Sequence, residues 1–275
     1  MIVTAIYVLA FGVGIGASFF IENVMLRYFV FDVVATVVTY IFSETMKNSS
    51  VYDPYWSFTP MVMSIVLFIE MRAFSLWQIL FLIVFNVWGA RLTVNLIKVF
   101  TDFSYEDWRY RKFRAENHGF MWFVINFFGI HMVPTLVVFA GMLPIFEMAV
   151  NPLGPLSVIG MLVVLTGVGF EFFADRAMHS FLSSAQKGEV CKAGLWNYSR
   201  HPNYLGEMTV WVGVFLTMLP YAPEKWFYGI GLVLVIVLFN VVSVPMMEKR
   251  QMERRPAYAD YKKVTSRVIL RPHKK

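Results

Sequence analysis

Eight apolar runs of membrane-crossing length dominate this sequence, near Ile2 to Ile21, Leu26 to Met46, Tyr55 to Met71, Phe74 to Phe100, Gly119 to Phe146, Leu156 to His179, Asn203 to Leu219 and Trp226 to Met247. A helix crosses a bilayer with about 20 mostly apolar residues, and roughly 17 to 25 are tolerated. In lipid every backbone polar group must be satisfied within the protein, and runs this continuous do so as helices. The expected fold is an all-α polytopic transmembrane helix bundle of seven to eight spans, the short third run lying in the interface in the seven-span version. Composition agrees, with 58% hydrophobic and only 15% charged residues. No internal repeat or low-complexity linker divides the chain, so residues 1–275 are expected to form a single membrane-embedded domain.

The charges set an orientation. Ten of the 24 Lys and Arg residues lie between Lys249 and Lys275, and basic residues collect on the cytosolic side. Eight crossings put both termini on that side, together with Lys47, the loop Lys98 to Arg114 and the loop Lys187 to Arg200. The membrane is either a bacterial cytoplasmic membrane or the endoplasmic reticulum. The stretch Asp102 to Arg114 interleaves aromatic and charged residues, but its acids offset much of its charge. It reads as an amphipathic segment on the membrane surface, not as a nucleic-acid patch. The lone Cys191 excludes an internal disulfide and a cysteine zinc site.

Polar residues inside or beside the runs are the candidates for chemistry, because ionisable groups in a membrane are expensive. Gly12, Gly14 and Gly16 lack the strand and βαβ context of a dinucleotide loop and read as close-packing positions. Asp32 reads first as a polar contact between helices. In Val51-Tyr-Asp-Pro-Tyr-Trp-Ser-Phe58, Pro54 breaks an incoming helix, leaving Asp53 at an irregular turn among Tyr52, Tyr55 and Trp56. Trp88, Arg91 and Asn95 share a helix face, where Arg91 needs an anionic partner. His131 reads as packing, and Pro134 is expected to kink its helix. Glu171, Asp175 and His179 repeat every four residues beside Arg176; an ion-pair stripe is the cheaper account, and no metal is expected.

The densest polar stretch is Gly194-Leu-Trp-Asn-Tyr-Ser-Arg-His-Pro-Asn-Tyr-Leu-Gly-Glu207, which runs straight into an apolar helix. Pro202 suits a first helical turn. Free amides there, with Arg200 and His201 beside them, make an anion site, and Asn203, Glu207 and Trp211 line one face. Tyr258, Tyr261, Thr265 and Arg267 of the tail could stack on and pair with a nucleotide.

This stretch, continued by Trp211 and Gly213, resembles the C-terminal signature of the steroid 5-alpha-reductase-like family of membrane reductases. With Ala174-Asp175, Glu248 and Tyr258 through Arg267, the resemblance covers residues 165–275. It implies an enzyme that uses NADPH, held in a cytosolic-side pocket, to reduce a conjugated C=C bond of a lipophilic substrate such as a 3-oxo-steroid or similar enone lipid. The cofactor-binding set in this reading is Glu171, Asp175, Arg176, Arg200, His201, Asn203, Tyr204, Glu207, Glu248, Tyr258, Tyr261 and Arg267. Trp56, Trp88, Arg91 and Trp211 would meet substrate. Asp53 resembles the family's catalytic acid; its tyrosine position reads Trp88, which leaves Tyr52 or Tyr55 to donate the proton. The arginine-histidine-proline pattern is also similar to S-adenosylmethionine-dependent isoprenylcysteine and phospholipid methyltransferases. A lipid-binding or transport protein would equally carry intramembrane charges.

Overall fold

The computed structural model describes residues 2–100, 103–186 and 188–273. Asp102, Lys187 and Lys275, named above, lie outside the described residues. Among those residues the chain is helical throughout, and a single isolated bridge, Ser199 with Ser266, is the sole trace of β pairing. Two compact units emerge, one ending at Pro152 and the other beginning at Leu153.

The first unit contains α1 (Ile2–Ser18), α2 (Val24–Thr45), α3 (Tyr55–Glu70), α4 (Leu76–Val99), α5 (Trp108–Glu116) and α6 (Gly119–Val150). The second contains α7 (Ser157–Ser184), α8 (Pro202–Met218), α9 (Pro223–Arg254) and α10 (Tyr258–Val264). Each predicted apolar run is helical. Among the described residues, five helices are long and apolar enough to cross a membrane: α2, α4, α6, α7 and α9. The apolar α1, at 17 residues, is shorter.

Local chemistry sets the helix ends. Asn23 caps α2 by accepting from the Leu26 amide at 2.9 Å, and Ser75 with Gln78 forms a reciprocal capping box on α4. Asp107 caps α5, the short helix formed by the segment expected on the membrane surface. At Pro134 the hydrogen-bond ladder of the helix is rearranged. A proline ring clashes with the carbonyl four residues back and offers no amide hydrogen. Upstream of it α6 widens into a π-helix over Val124–Met132, and the Val133 amide bonds Phe128, five residues back. The same happens before Pro245, where Leu238–Ser243 is π-helical.

Within the second unit, α7 and α8 touch backbone to backbone. A Cβ added at Gly167 would stand 2.6 Å from the Gly206 carbonyl oxygen, and one at Gly160 would stand 2.7 Å from that of Gly213. Seven-residue spacing on both helices makes two matched glycine pairs, the small-residue route to close packing in a membrane. In the first unit Gly14 serves in this way, with Phe31 against it, whereas Gly12 and Gly16 face open space.

Candidate functional site

In the second unit the signature builds the turn entering α8. Gly194 adopts φ +54°, and Gly194–Asn197 forms a 3-10 turn whose Trp196 Nε1 donates to the Ala174 carbonyl at 2.8 Å. Pro202 begins α8, as its chemistry predicts. The tail then folds back over this turn. Arg200 N donates to the Ser266 carbonyl at 2.9 Å, Ser199 Oγ to that of Val268 at 2.6 Å, and Arg271 N to that of Tyr198 at 3.1 Å. The Tyr261 hydroxyl donates to the Trp196 carbonyl. Loop and tail therefore lie at one end of this unit.

Arg200 holds that arrangement. Its Nε and Nη2 reach Glu248 Oε1 at 2.8 and 2.7 Å, and Nη1 donates to the carbonyls of Lys262 and Thr265. Lys262 Nζ lies 2.9 Å from the other Glu248 oxygen. His201, 3.6 Å from Glu248, is buried, and burial lowers its pKa. The positive charge that the sequence suggests for an anion is thus matched by Glu248 at Arg200 and reduced by burial at His201.

Other groups of the expected set lie away from this ion pair. The side-chain oxygen of Asn203 is buried with no hydrogen-bond partner among the described residues. One residue on, the Tyr204 ring lies parallel to His201, centroids 5.5 Å apart, and also packs on Phe239. Glu207 accepts from Trp211 Nε1 at 2.9 Å, and both are buried. Glu171 is buried against Gly206, where an added Cβ would stand 2.5 Å from the Glu171 Cγ. Asp175 is half-buried and Arg176 and His179 are exposed, so the expected stripe grades outward. Tyr258 and Tyr261 meet edge to face at 5.6 Å, and burial pushes both phenols above their ordinary range. Arg267 is exposed and donates to the Asn240 carbonyl at 2.8 Å. Among the described residues no three His, Cys, Asp or Glu are arranged to hold a metal ion.

In the first unit the two acids separate. Asp53 accepts from the Tyr110 hydroxyl at 2.6 Å and lies near Arg109 on α5. Burial pushes its carboxyl up to about 6 against the pull of Arg109 and Tyr110. Asp32 accepts from the Tyr55 hydroxyl at 2.9 Å. Tyr55 stacks on Tyr52 at 5.4 Å, whose hydroxyl is 2.7 Å from Thr135 Oγ1 and whose ring meets His131 at 4.8 Å. Both tyrosines are about 1% exposed, and Tyr55 ties the phenol pair to Asp32, which the sequence offered first as a helix contact. Trp56 is half-buried against this core, Trp88 is fully buried beside Phe85, and Arg91 is half-buried one turn along α4. Sequence reasoning also missed a buried polar face of α2 made by Asp32, Thr36, Thr39 and Ser43. Its spacing of four, three and four residues was readable, but serine and threonine scarcely interrupt an apolar run.

Residues 39–265 match the model of the family described as a protein of unknown function, DUF1295, and the chain belongs to that family. No curated protein and no solved structure matches the chain.

Proposed function

We propose that this protein is an integral-membrane reductase that takes NADPH in its second unit and reduces a conjugated C=C bond of a lipophilic substrate. The observation that carries the reading is the buried, unpartnered side-chain oxygen of Asn203, inside the signature resembling the steroid 5-alpha-reductase-like family. A buried acceptor without a donor costs about 1–3 kcal/mol, so this oxygen is suited to an amide N–H of a ligand. Beside it the parallel His201 and Tyr204 rings offer a flat stacking face, and Glu207 is held by Trp211. When bound, NADPH supplies the hydride that such a reduction adds to the β-carbon of an enone. A proton must then reach the α-carbon to complete the reduction. Seven to eight spans, with the basic tail on the cytosolic side of a bacterial or endoplasmic-reticulum membrane, complete the reading.

A ligand that binds only the folded state raises the melting temperature. NADPH should therefore raise that of the purified protein, and S-adenosylmethionine should not. Asn203→Ala should erase the NADPH shift while leaving the melting temperature without nucleotide near that of the wild type. A shift given by S-adenosylmethionine alone would replace this reading with a methyltransferase.

A further inference from the structure

The buried face of α2 contains one group that its own unit leaves unsatisfied. Asp32 is bonded to Tyr55, Thr36 to Thr135 at 2.9 Å, and Thr39 to the Ala35 carbonyl at 2.9 Å. The Ser43 hydroxyl is fully buried and has no hydrogen-bond partner among the described residues. A second such group faces the same stretch of α2. In the π-helical part of α6, Asn126 and His131 stack one wide turn apart, and His131 Nδ1 meets the Asn126 carbonyl at 2.8 Å. A carbonyl only accepts, so Nδ1 holds the hydrogen and Nε2 is a bare lone pair. That nitrogen is fully buried and has no partner among the described residues.

These two atoms belong to facing turns. Tyr40 packs edge-on to the His131 ring at 5.4 Å, and Asn126 Nδ2 donates to Glu44 Oε2 at 2.7 Å. Residues 40–44 of α2 thus lie against residues 126–131 of α6. π-Helical turns occur frequently at functional sites, and this one, which accommodates Pro134, sets Asn126 and His131 one above the other.

We propose that the first unit holds an interior site for an O–H group, built by His131 and Ser43 where α2 meets the π-turn of α6. The chemistry selects the ligand. Nε2 needs a hydrogen donor, so a ketone or other bare carbonyl cannot satisfy it, whereas a hydroxyl donates to the imidazole and accepts from serine. One imidazole and one serine are too few for a metal. Water and the hydroxyl of a lipid alcohol share this chemistry.

The test uses the full chain in phosphatidylcholine vesicles and does not depend on any reductase activity. Ser43→Cys is compared with Ile41→Cys on the same helix, a position that is 54% exposed on the apolar surface. Both are treated with 2-aminoethyl methanethiosulfonate, and the modified peptides are followed by mass, so that native Cys191 is read separately. Ser43→Cys should react at least 10-fold faster than Ile41→Cys. Equal or slower reaction overturns the site. Adding His131→Phe should bring the rate down to that of Ile41→Cys, and adding His131→Gln, which retains an acceptor, should keep it high. An unchanged rate with His131→Phe overturns the role of His131, and if that variant fails to fold, the comparison of Ser43→Cys with Ile41→Cys still decides. Cholesterol in the vesicles distinguishes the occupants: slowing relative to Ile41→Cys assigns a lipid alcohol, and no slowing assigns water.

Discussion

Asp53 sits where burial and charge pull its carboxyl in opposite directions, and burial wins, lifting it from an ordinary 3.8 to about 6. Below about pH 3 the carboxyl is protonated in folded and unfolded chains alike. As pH rises from about 4 to about 6 the unfolded chain ionises while the folded one resists, so the stability present at low pH is lost by about pH 7, to the extent of roughly 2–3 kcal/mol. Asp53→Asn keeps an acceptor for Tyr110 and removes this titration. Its melting temperature should match the wild type near pH 3 and exceed it near pH 8, which a pH series of thermal melts checks. At Arg200 the expectation runs the other way. Removing a partner from a buried ion pair costs about 3–5 kcal/mol, and Arg200→Ala leaves Glu248 with only Lys262 and His201. Arg200→Lys should recover little of the loss, since an ammonium cannot make the fork to carboxylate and carbonyls. Chemical denaturation in detergent measures both. The importance of Arg200 was legible in the sequence, but its partner was not. Glu248 lies 48 residues away, and no local spacing relates the two.

Gly167 and Gly169 separate packing from propensity on a single helix. A side chain at Gly167 would collide with the Gly206 carbonyl, whereas an added Cβ at Gly169 meets nothing within 4 Å. Gly167→Ala should destabilise by about 1–3 kcal/mol, and Gly169→Ala should be neutral or stabilise slightly, because alanine favours helix over glycine. Thermal melts of the two proteins side by side test this. Helix positions were largely legible, since every predicted run is helical and Pro202 marks the start of α8 within a residue. The π-turns were not. A proline inside an apolar run announces that something must yield, but how far upstream the hydrogen-bond ladder widens depends on neighbours that one helix does not contain. The seven-residue glycine pairs likewise gain meaning only when α7 and α8 are seen together.

At the scale of the whole chain, the fold completes the signature turn with residues 261–271, some 60 to 70 positions further along the sequence. Tyr261, Thr265, Ser266, Val268 and Arg271 all bond to residues 196–200. A chain ending before Tyr258 should retain its membrane helices yet lose the ordered turn, which limited proteolysis near Trp196 would detect as faster cleavage than in the chain that carries residues 258–275. During synthesis the same dependence has a temporal side. Arg200 and Glu248 are both made before the strap that closes over them, so the turn stays unfinished until residues 261–271 have left the ribosome. A chain terminated before Tyr261 would then expose an unclosed turn with its Arg200 and Glu248 uncovered, giving cellular quality control a mark by which to tell it from a copy that carries the strap.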